Sequence, residues 1–282
     1  MDRKKLDHAV AGADAVVHLA AQVAVTTSVE NPYRDFVINA QGTLHVLEAA
    51  RRLPQKPLVI YASTNKVYGN MDHAEVMLTD LGYRYKQYEA GIAEHHGVDF
   101  HSPYGCSKGA ADQYARDYAR IYGLPTVVFR QSCIYGPHQF GVEDQGWVAW
   151  FVISSLLNRQ ITIYGDGHQT RDVLHVQDLA RLYEMAIRNP KKVSGRIYNI
   201  GGGAKEVSSV LGAIDRLEKM MRKKIPYSFA EWRPGDQKVY ISHIDKIKQD
   251  LGWEPRISFD KGLKTLVDWA EREQKSLKRI VA

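Results

Sequence analysis

Two apolar runs of strand length, with one amphipathic run between them, constrain the fold of this chain more than any other feature. Ala13-Asp-Ala-Val-Val-His-Leu-Ala-Ala21 is bounded by Gly12 and Gln22 and reads as a buried parallel strand. Asn31-Pro32 opens a helix, because proline is tolerated in a first turn. Phe36, Val37, Leu44, Leu47 and Ala50 follow at helical spacing up to Pro54. Leu58-Val-Ile-Tyr-Ala-Ser63 is a second buried strand. Strand, helix and strand within roughly 50 residues make a βαβ unit, which predicts a right-handed crossover and a parallel sheet.

The same reading continues along the chain. Pro103 opens a helix that runs to Gly123, with Tyr114, Tyr118 and Ile121 continuing its apolar side. Pro125 to Ile134 reads as one strand, broken by Tyr135-Gly-Pro137. Trp147 to Leu157 is an apolar helix, Ile161 to Tyr164 a short strand, and Arg171 to Val176 a strand followed by a helix from Gln177 to Arg188. Arg196 to Ile200 is a strand, Val207 to Met221 a helix, residues 233–237 a turn, and Lys261 to Glu273 a closing helix. Residues 70–101 are polar and irregular, and predict an insertion or lid over the site. The resulting expectation is an α/β protein. A doubly wound parallel sheet occupies residues 1–135, rejoined by the strand at 196–200, and a smaller mixed domain occupies 136–282.

Composition excludes several classes. Net charge is +6, but 38 basic residues are interspersed with 32 acidic ones, which argues against a nucleic-acid surface. No apolar run is long enough to cross a bilayer, and the charged N-terminus lacks the apolar stretch of a secretory signal. Two cysteines, Cys106 and Cys133, cannot form a disulfide framework, so a reducing cytoplasm is expected. His73, His95, His96 and His101 lack metal-ligand spacing, and no metal is expected.

The chemistry concentrates in two places. Ser63 and Thr64 put hydroxyls at the carboxyl end of a parallel strand, where open α/β sheets bind ligands. Tyr104 and Lys108 stand one helical turn apart, and an ammonium beside a phenol favours the phenolate, a base nearer neutral pH. With 16 tyrosines, about one such pair is expected by chance. Gly201-Gly-Gly203 follows a strand and could cradle a phosphate, although it lacks the G-x-G-x-x-G spacing.

Order lifts the pair above chance. Ser63-Thr64-x-x-Val67-Tyr68-Gly69 followed by Tyr104-Gly-x-Ser-Lys108 resembles the extended short-chain dehydrogenase/reductases of the NAD-dependent epimerase/dehydratase family. His18-Leu-Ala-Ala21, Asn39-x-x-Gly42-Thr43, Tyr135-Gly-Pro137, Arg171-Asp-Val173, Tyr198-Asn-Ile-Gly201 and Leu251-Gly-Trp253 match further marks of that family, so the resemblance covers essentially the whole chain. The stretch from Phe129 to Trp147 is most similar to epimerases acting at C2 of CDP-deoxyhexoses.

The resemblance implies a Rossmann-like fold and a recycled NAD contacted by Leu19, Ala20, Ala21, Asn39, Ser63, Tyr104 and Lys108. It implies Tyr104 as the base, Lys108 as the group that lowers its pKa, and Thr64 as the group that orients the reacting oxygen. It assigns a nucleotide sugar to Asn65, Cys133, Gln145, Arg171 and Arg233, with Asp144 a weaker candidate. Dehydratase relatives carry an Asp-Glu pair where this chain has Asn65-Lys66, which implies epimerisation rather than water elimination. Relatives pair through two helices, here 31–53 and 103–123, which implies a homodimer. An epimerase for a UDP- or GDP-sugar, and a non-catalytic sugar-nucleotide-binding fragment, remain open alternatives.

One family mark is missing. Extended members begin with a strand and G-x-x-G-x-x-G, which holds the cofactor pyrophosphate at a helix N-terminus, and this sequence has no such motif. The first strand here resembles the fourth of the family, so roughly 60 residues, about two βα units, are expected to be absent from the front. Residues 1–282 alone are therefore expected to bind NAD weakly or not at all, and to aggregate through an exposed strand edge.

Overall fold

The computed structural model describes residues 2–233 and 235–280. Pro234, inside the turn expected at 233–237, lies outside the described residues. The chain opens with α1 (Arg3–Val10), β1 (Ala15–His18), α2 (Val25–Glu30), α3 (Pro32–Phe36), a π turn (Val37–Gln41) and α4 (Gly42–Arg51). It continues through β2 (Leu58–Thr64), a 3₁₀ turn (Asn65–Tyr68), β3 (Val76–Thr79), β4 (Gly82–Tyr85), α5 (Ser102–Tyr122), β5 (Thr126–Gln131) and β6 (Cys133–Tyr135). Next come α6 (Trp147–Leu156), β7 (Ile161–Tyr164), β8 (Thr170–His175), α7 (Val176–Arg188), α8 (Pro190–Val193) and β9 (Arg196–Ile200). β10 (Val207–Ser209), α9 (Val210–Met221), β11 (Tyr227–Ala230), β12 (Val239–Tyr240), α10 (Asp245–Leu251), α11 (Phe259–Arg272) and α12 (Gln274–Ile280) complete the order.

The main sheet has the order β1-β2-β5-β9, and every pairing is parallel. Its strands are apolar on both faces because both faces are covered. On β2, Val59 and Tyr61 point to a cluster with Leu47 and Ala50 of α4 and Ala111 and Ala115 of α5. Leu58 and Ile60 point the other way, to Leu179 and Leu182 of α7, Ile247 of α10 and Trp253. Period-two alternation into two cores is the doubly wound arrangement that the sequence predicts. Each fully buried aliphatic side chain contributes about 2 kcal/mol to holding it. Gly123 caps α5 in the left-handed conformation, its N–H donating to the Tyr118 carbonyl.

A second assembly forms around β8, which pairs with β10, β12 and β6. A parallel pair of β7 and β11 joins it, and α6, α9 and α11 pack a core that includes Phe151, Leu217 and Leu266. β9 lies beside β5 in the main sheet.

Three local expectations are corrected and a fourth is narrowed. The run from Pro125 to Ile134 is two strands in two sheets: Ser132 separates β5 from β6, and its hydroxyl donates to the buried Asp172 carboxylate. Of the insertion or lid expected over residues 70–101, the structure shows an insertion: it carries the β3–β4 hairpin, whose Tyr85 packs with Val67, Tyr68 and Ile92 in a separate buried cluster, and none of its residues lines the cavity described below. Apolar residues spaced irregularly in sequence converge there. The helix expected from Val207 begins at Val210, because Val207–Ser209 pairs with β8 and the Ser209 hydroxyl caps the helix. The helix expected over Asn31–Leu53 is α3, the π turn and α4 in succession, and α2, too short to show a period, precedes it.

Candidate active site

A cavity of about 530 Å³ opens between the two assemblies. The carboxyl end of β2 supplies Thr64, and the 3₁₀ turn supplies Asn65 and Lys66. α5 supplies Tyr104, β6 Cys133, the loop before α6 Asp144 and Gln145, β8 Arg171, and the loop after β11 Arg233. α2 forms another wall with Val25, Thr26 and Val29. The two catalytic candidates Thr64 and Tyr104 and all five substrate candidates therefore face one space. They come from six segments separated in sequence.

At the floor, Thr64 and Tyr104 both line the cavity, with the Thr64 hydroxyl near enough to the Tyr104 phenol to act on its ionisation. The Lys66 backbone N–H donates to Thr64 Oγ1 at 3.2 Å, which fixes that rotamer. The first turn of α5 is pinned as well, since the Tyr104 N–H donates to Ser28 Oγ of α2 at 3.1 Å. Burial pushes the Tyr104 phenol above its ordinary range, opposed by the nearby Thr64 hydroxyl and reinforced by the Asp35 carboxylate.

The expected lowering of Tyr104 by Lys108 is corrected. Lys108 is buried, its ammonium donates to the Ala62 carbonyl, and it lies 4.5 Å over the Tyr61 ring. Burial lowers its own pKa to about 8, against the opposing charges of Asp112 and Asp35. An i,i+4 spacing puts two residues on one helical face but does not choose where a four-carbon stem turns.

The residues expected to hold the cofactor divide into two sets. Leu19 is 58% exposed, Ala20 is exposed and Ala21 half-buried, all beyond the end of β1. Asn39 and Ser63 are instead committed to internal bonds. The Asn39 amide donates to Asp35 Oδ1 at 3.0 Å, to Ser107 Oγ at 3.1 Å and to the Gln22 carbonyl at 3.1 Å. The Ser63 hydroxyl donates to Asp112 Oδ2 at 2.8 Å. Asp112 in turn forms a buried ion pair with Arg130, whose Nε lies 2.9 Å from Oδ2. None of these residues, nor Lys108, lines the cavity.

Two further findings concern phosphate and sulfur. Gly201-Gly-Gly203 is not a phosphate cradle: a Cβ on Gly201 would lie 1.9 Å from Asp172 Oδ2, so the glycines permit a close approach. The Cys133 thiol is pushed up by burial and accepts from Trp147 Nε1 at 3.4 Å, which makes it a packing group on the cavity wall. Asp35 and Thr26 escaped sequence reasoning: Asp35 is a polar residue in a helix read by its apolar positions, and Thr26 sits in α2, too short to show a period. Among the described residues, no group of His, Cys, Asp or Glu is arranged to hold a metal ion, and no helix is long and apolar enough to cross a membrane.

The family model described as GDP-mannose 4,6 dehydratase matches residues 1–266. The chain belongs to this NAD-dependent epimerase/dehydratase family. It is similar to a CDP-paratose 2-epimerase from Salmonella typhi, 44% identical over 261 residues, covering 91% of this chain and 77% of that protein. A dTDP-glucose 4,6-dehydratase from Escherichia coli is 32% identical over 270 residues, covering 91% of this chain and 72% of that protein. Among solved structures, UDP-glucose 4-epimerase from Thermotoga maritima with UDP-glucose aligns with a TM-score of 0.83 at 29% identity, covering 97% of this chain and 82% of that one. UDP-glucuronic acid 4-epimerase from Bacillus cereus, in complex with UDP-glucuronic acid and NAD, aligns at 0.82 with 28% identity, covering 96% and 80%.

Proposed function

We propose that this family member is an NAD-dependent sugar-nucleotide epimerase acting at C2 of a CDP-deoxyhexose. The observation that carries the reading is the cavity floor. Thr64 and Tyr104 meet there beside Asn65 and Lys66, with no carboxylate at either of the latter positions to eliminate water. Similarity to the CDP-paratose 2-epimerase supports the choice of base and carbon.

The residues present fit the nicotinamide end of NAD. Leu19 and Ala20 are exposed beyond a parallel strand, and the nearby Gln22 Oε1 is a buried acceptor without a partner. Tyr104 and Lys108 stand at the next strand end. Bound NAD⁺ would supply a hydride acceptor, a hydride donor on the return step, and positive charge. The resting Tyr104 phenol is held high, so it becomes a base only once positive charge is brought near it. Tyr104 then removes the C2 hydroxyl proton while Thr64 holds the oxygen, leaving a ketone at that carbon. After the ketone presents its other face, Tyr104 returns the proton to the oxygen as C2 regains its hydrogen with inverted configuration.

We also propose that the protein works in the cytoplasm, with residues 136–282 forming most of the substrate-binding domain, and that it pairs with a second copy through helices 31–53 and 103–123. On these helices Tyr33 is 79% exposed and Ile121 66%, with Phe36 and Tyr114 also open. The test of activity is incubation of a form that carries the family's glycine-rich front segment, supplied with NAD, with CDP-paratose, CDP-tyvelose, UDP-glucose and GDP-mannose, with products resolved by NMR. Interconversion of the two CDP sugars is expected. A UDP or GDP product would reassign the base, and a 4-keto-6-deoxy product would replace epimerisation by dehydration.

A further inference from the structure

Asp35, Lys108, Asp112 and Arg130 are all buried around the first half of α5, and they are not equally paired. Asp112 is matched: Arg130 donates to both of its carboxylate oxygens, from Nε at 2.9 Å and from Nη2 at 3.0 Å. Asp35 and Lys108 are left over. Neither forms an ion pair among the described residues. An ionised group buried without an opposite charge is costly, so a neighbouring anion and cation that lack other partners compensate one another.

Hydrogen bonds fix where that anion stands. Asp35, on α3, accepts from the Ser107 hydroxyl and, at 3.0 Å, from the Asn39 amide. Ser107 Oγ lies 3.1 Å from the same amide and 3.2 Å from the Tyr104 carbonyl. A carboxylate can only accept, so it dictates that the Ser107 hydroxyl and the Asn39 NH₂ both turn towards it. Asn39 Oδ1 is thereby left for the Gln22 N–H, at 2.8 Å. Ser107 stands between Tyr104 and Lys108 on α5, so Asp35 grips the stretch of helix that carries both. Asp35 itself does not line the cavity.

The other groups around Lys108 supply no free charge at neutral pH. His18 of β1 is lowered to about 4 by burial and then by Lys108, and is neutral. Tyr61 of β2, whose ring lies 4.5 Å from the ammonium, is raised by burial and is neutral as well. Tyr104 is raised by burial, and Asp112 is taken by Arg130. Burial lowers Lys108 to about 8, opposed by Asp112 and then Asp35, while the Asp35 carboxyl, raised by burial, is drawn down by the Ser107 bond and by Lys108.

We propose that Asp35 is a positioning residue for the chemistry at Tyr104: its carboxylate is the buried counter-charge that keeps Lys108 an ammonium, and through Ser107 it holds the first turns of α5 in place. The charge pairing stands on the structure alone. Its effect on the reaction rests on the reading of this site as an epimerase.

The test is an NMR titration of the whole chain labelled at the lysine ε-carbons, for the wild type and Asp35→Asn, with Lys108→Met assigning the signal. Asp35→Asn should lower the Lys108 midpoint by about one pH unit, a tenfold loss in the ratio of charged to neutral form, because removing an anion disfavours the ammonium. Lys66, lowered to about 8 by burial and then by Arg171, is the internal reference and should not move. An unmoved Lys108 overturns the inference, and so does an equal shift of both lysines, which reports general loosening. If Asp35→Asn alone does not fold, Asp35→Asn/Lys108→Met should fold again, since it removes both charges; a double variant that stays unfolded overturns the pairing. In the form that carries the glycine-rich front segment, supplied with NAD, Asp35→Asn should bring the alkaline fall of kcat about one pH unit lower with KM unchanged. An unchanged profile overturns the role in the reaction. A wild type inactive on every nucleotide sugar overturns the functional reading, and the lysine titration still decides the pairing.

Discussion

β2 and β1 lie side by side in one sheet and carry similar apolar sequence, yet they end in different environments. Every residue of β2 but Ala62 is buried, and its carboxyl end delivers Thr64 to an enclosed cavity floor. Among the described residues β1 pairs with β2 alone; Val17 is 37% exposed, and the segment beyond it exposes Leu19 and Val23. A strand flanked on both sides is locked from several directions. Arg130 of β5 forks onto Asp112 of α5, Asp112 accepts from Ser63 of β2, and Arg130 also reaches Tyr68, which donates to Asn199 of β9. An edge strand has no second neighbour to supply such bonds, so its end stays open. Rigid chemistry on β2 therefore sits beside a permissive platform on β1.

The largest effect should come from the floor itself. Tyr104→Phe is expected to lower kcat by about 10³-fold with an unchanged unfolding midpoint, measured on the CDP-sugar substrates in the form that carries the front segment, supplied with NAD. Retained turnover would remove β2 and α5 from the chemistry. Asp112→Ala should cost about 3–5 kcal/mol in urea unfolding, because it strands a buried guanidinium; a loss under about 1 kcal/mol would mean that the lock around β2 is not rigid.

His18, at the end of β1, probes the border between the two regions. It is buried against Thr43, and burial, aided by Lys108, lowers its pKa from 6.5 to about 4. Between those values the unfolded chain binds the proton and the folded one does not. Stability should thus fall by about 3 kcal/mol as pH drops through that window, and His18→Gln should flatten the slope. Equal slopes in both proteins would show that the border is open to water. The smallest effect on stability belongs to the edge. Val17→Lys should change unfolding by less than about 0.5 kcal/mol but reduce self-association in light scattering.

Much of this molecule is legible in the chain. Apolar runs gave β2, β5 and β9, because strands covered on both faces need no polar alternation, and Pro103 and Gly123 bracketed α5 within a residue or two. Thr64, Asn65, Tyr104, Cys133, Gln145, Arg171 and Arg233 were nameable from motifs, and all line one cavity. The reading failed where distant groups compete for one side chain. Lys108 was placed on the correct helical face but turns to the Ala62 carbonyl, and Ser63 and Asn39 are drawn into carboxylate networks centred on Asp112 and Asp35. The 70–101 segment left insertion and lid open because its buried residues have no period, and only the hairpin's docking revealed their common cluster.

Sequence by itself determined the alternation of strand and helix, the family, and the identity of the groups on the cavity floor, since these follow from local periodicity and from motifs in a fixed order. Tertiary structure alone decided which buried charges find an ion-pair partner, where Lys108 points, and which strand became the edge. Those outcomes depend on the low dielectric and fixed geometry created when segments far apart in the chain close over one another, and no local pattern encodes them.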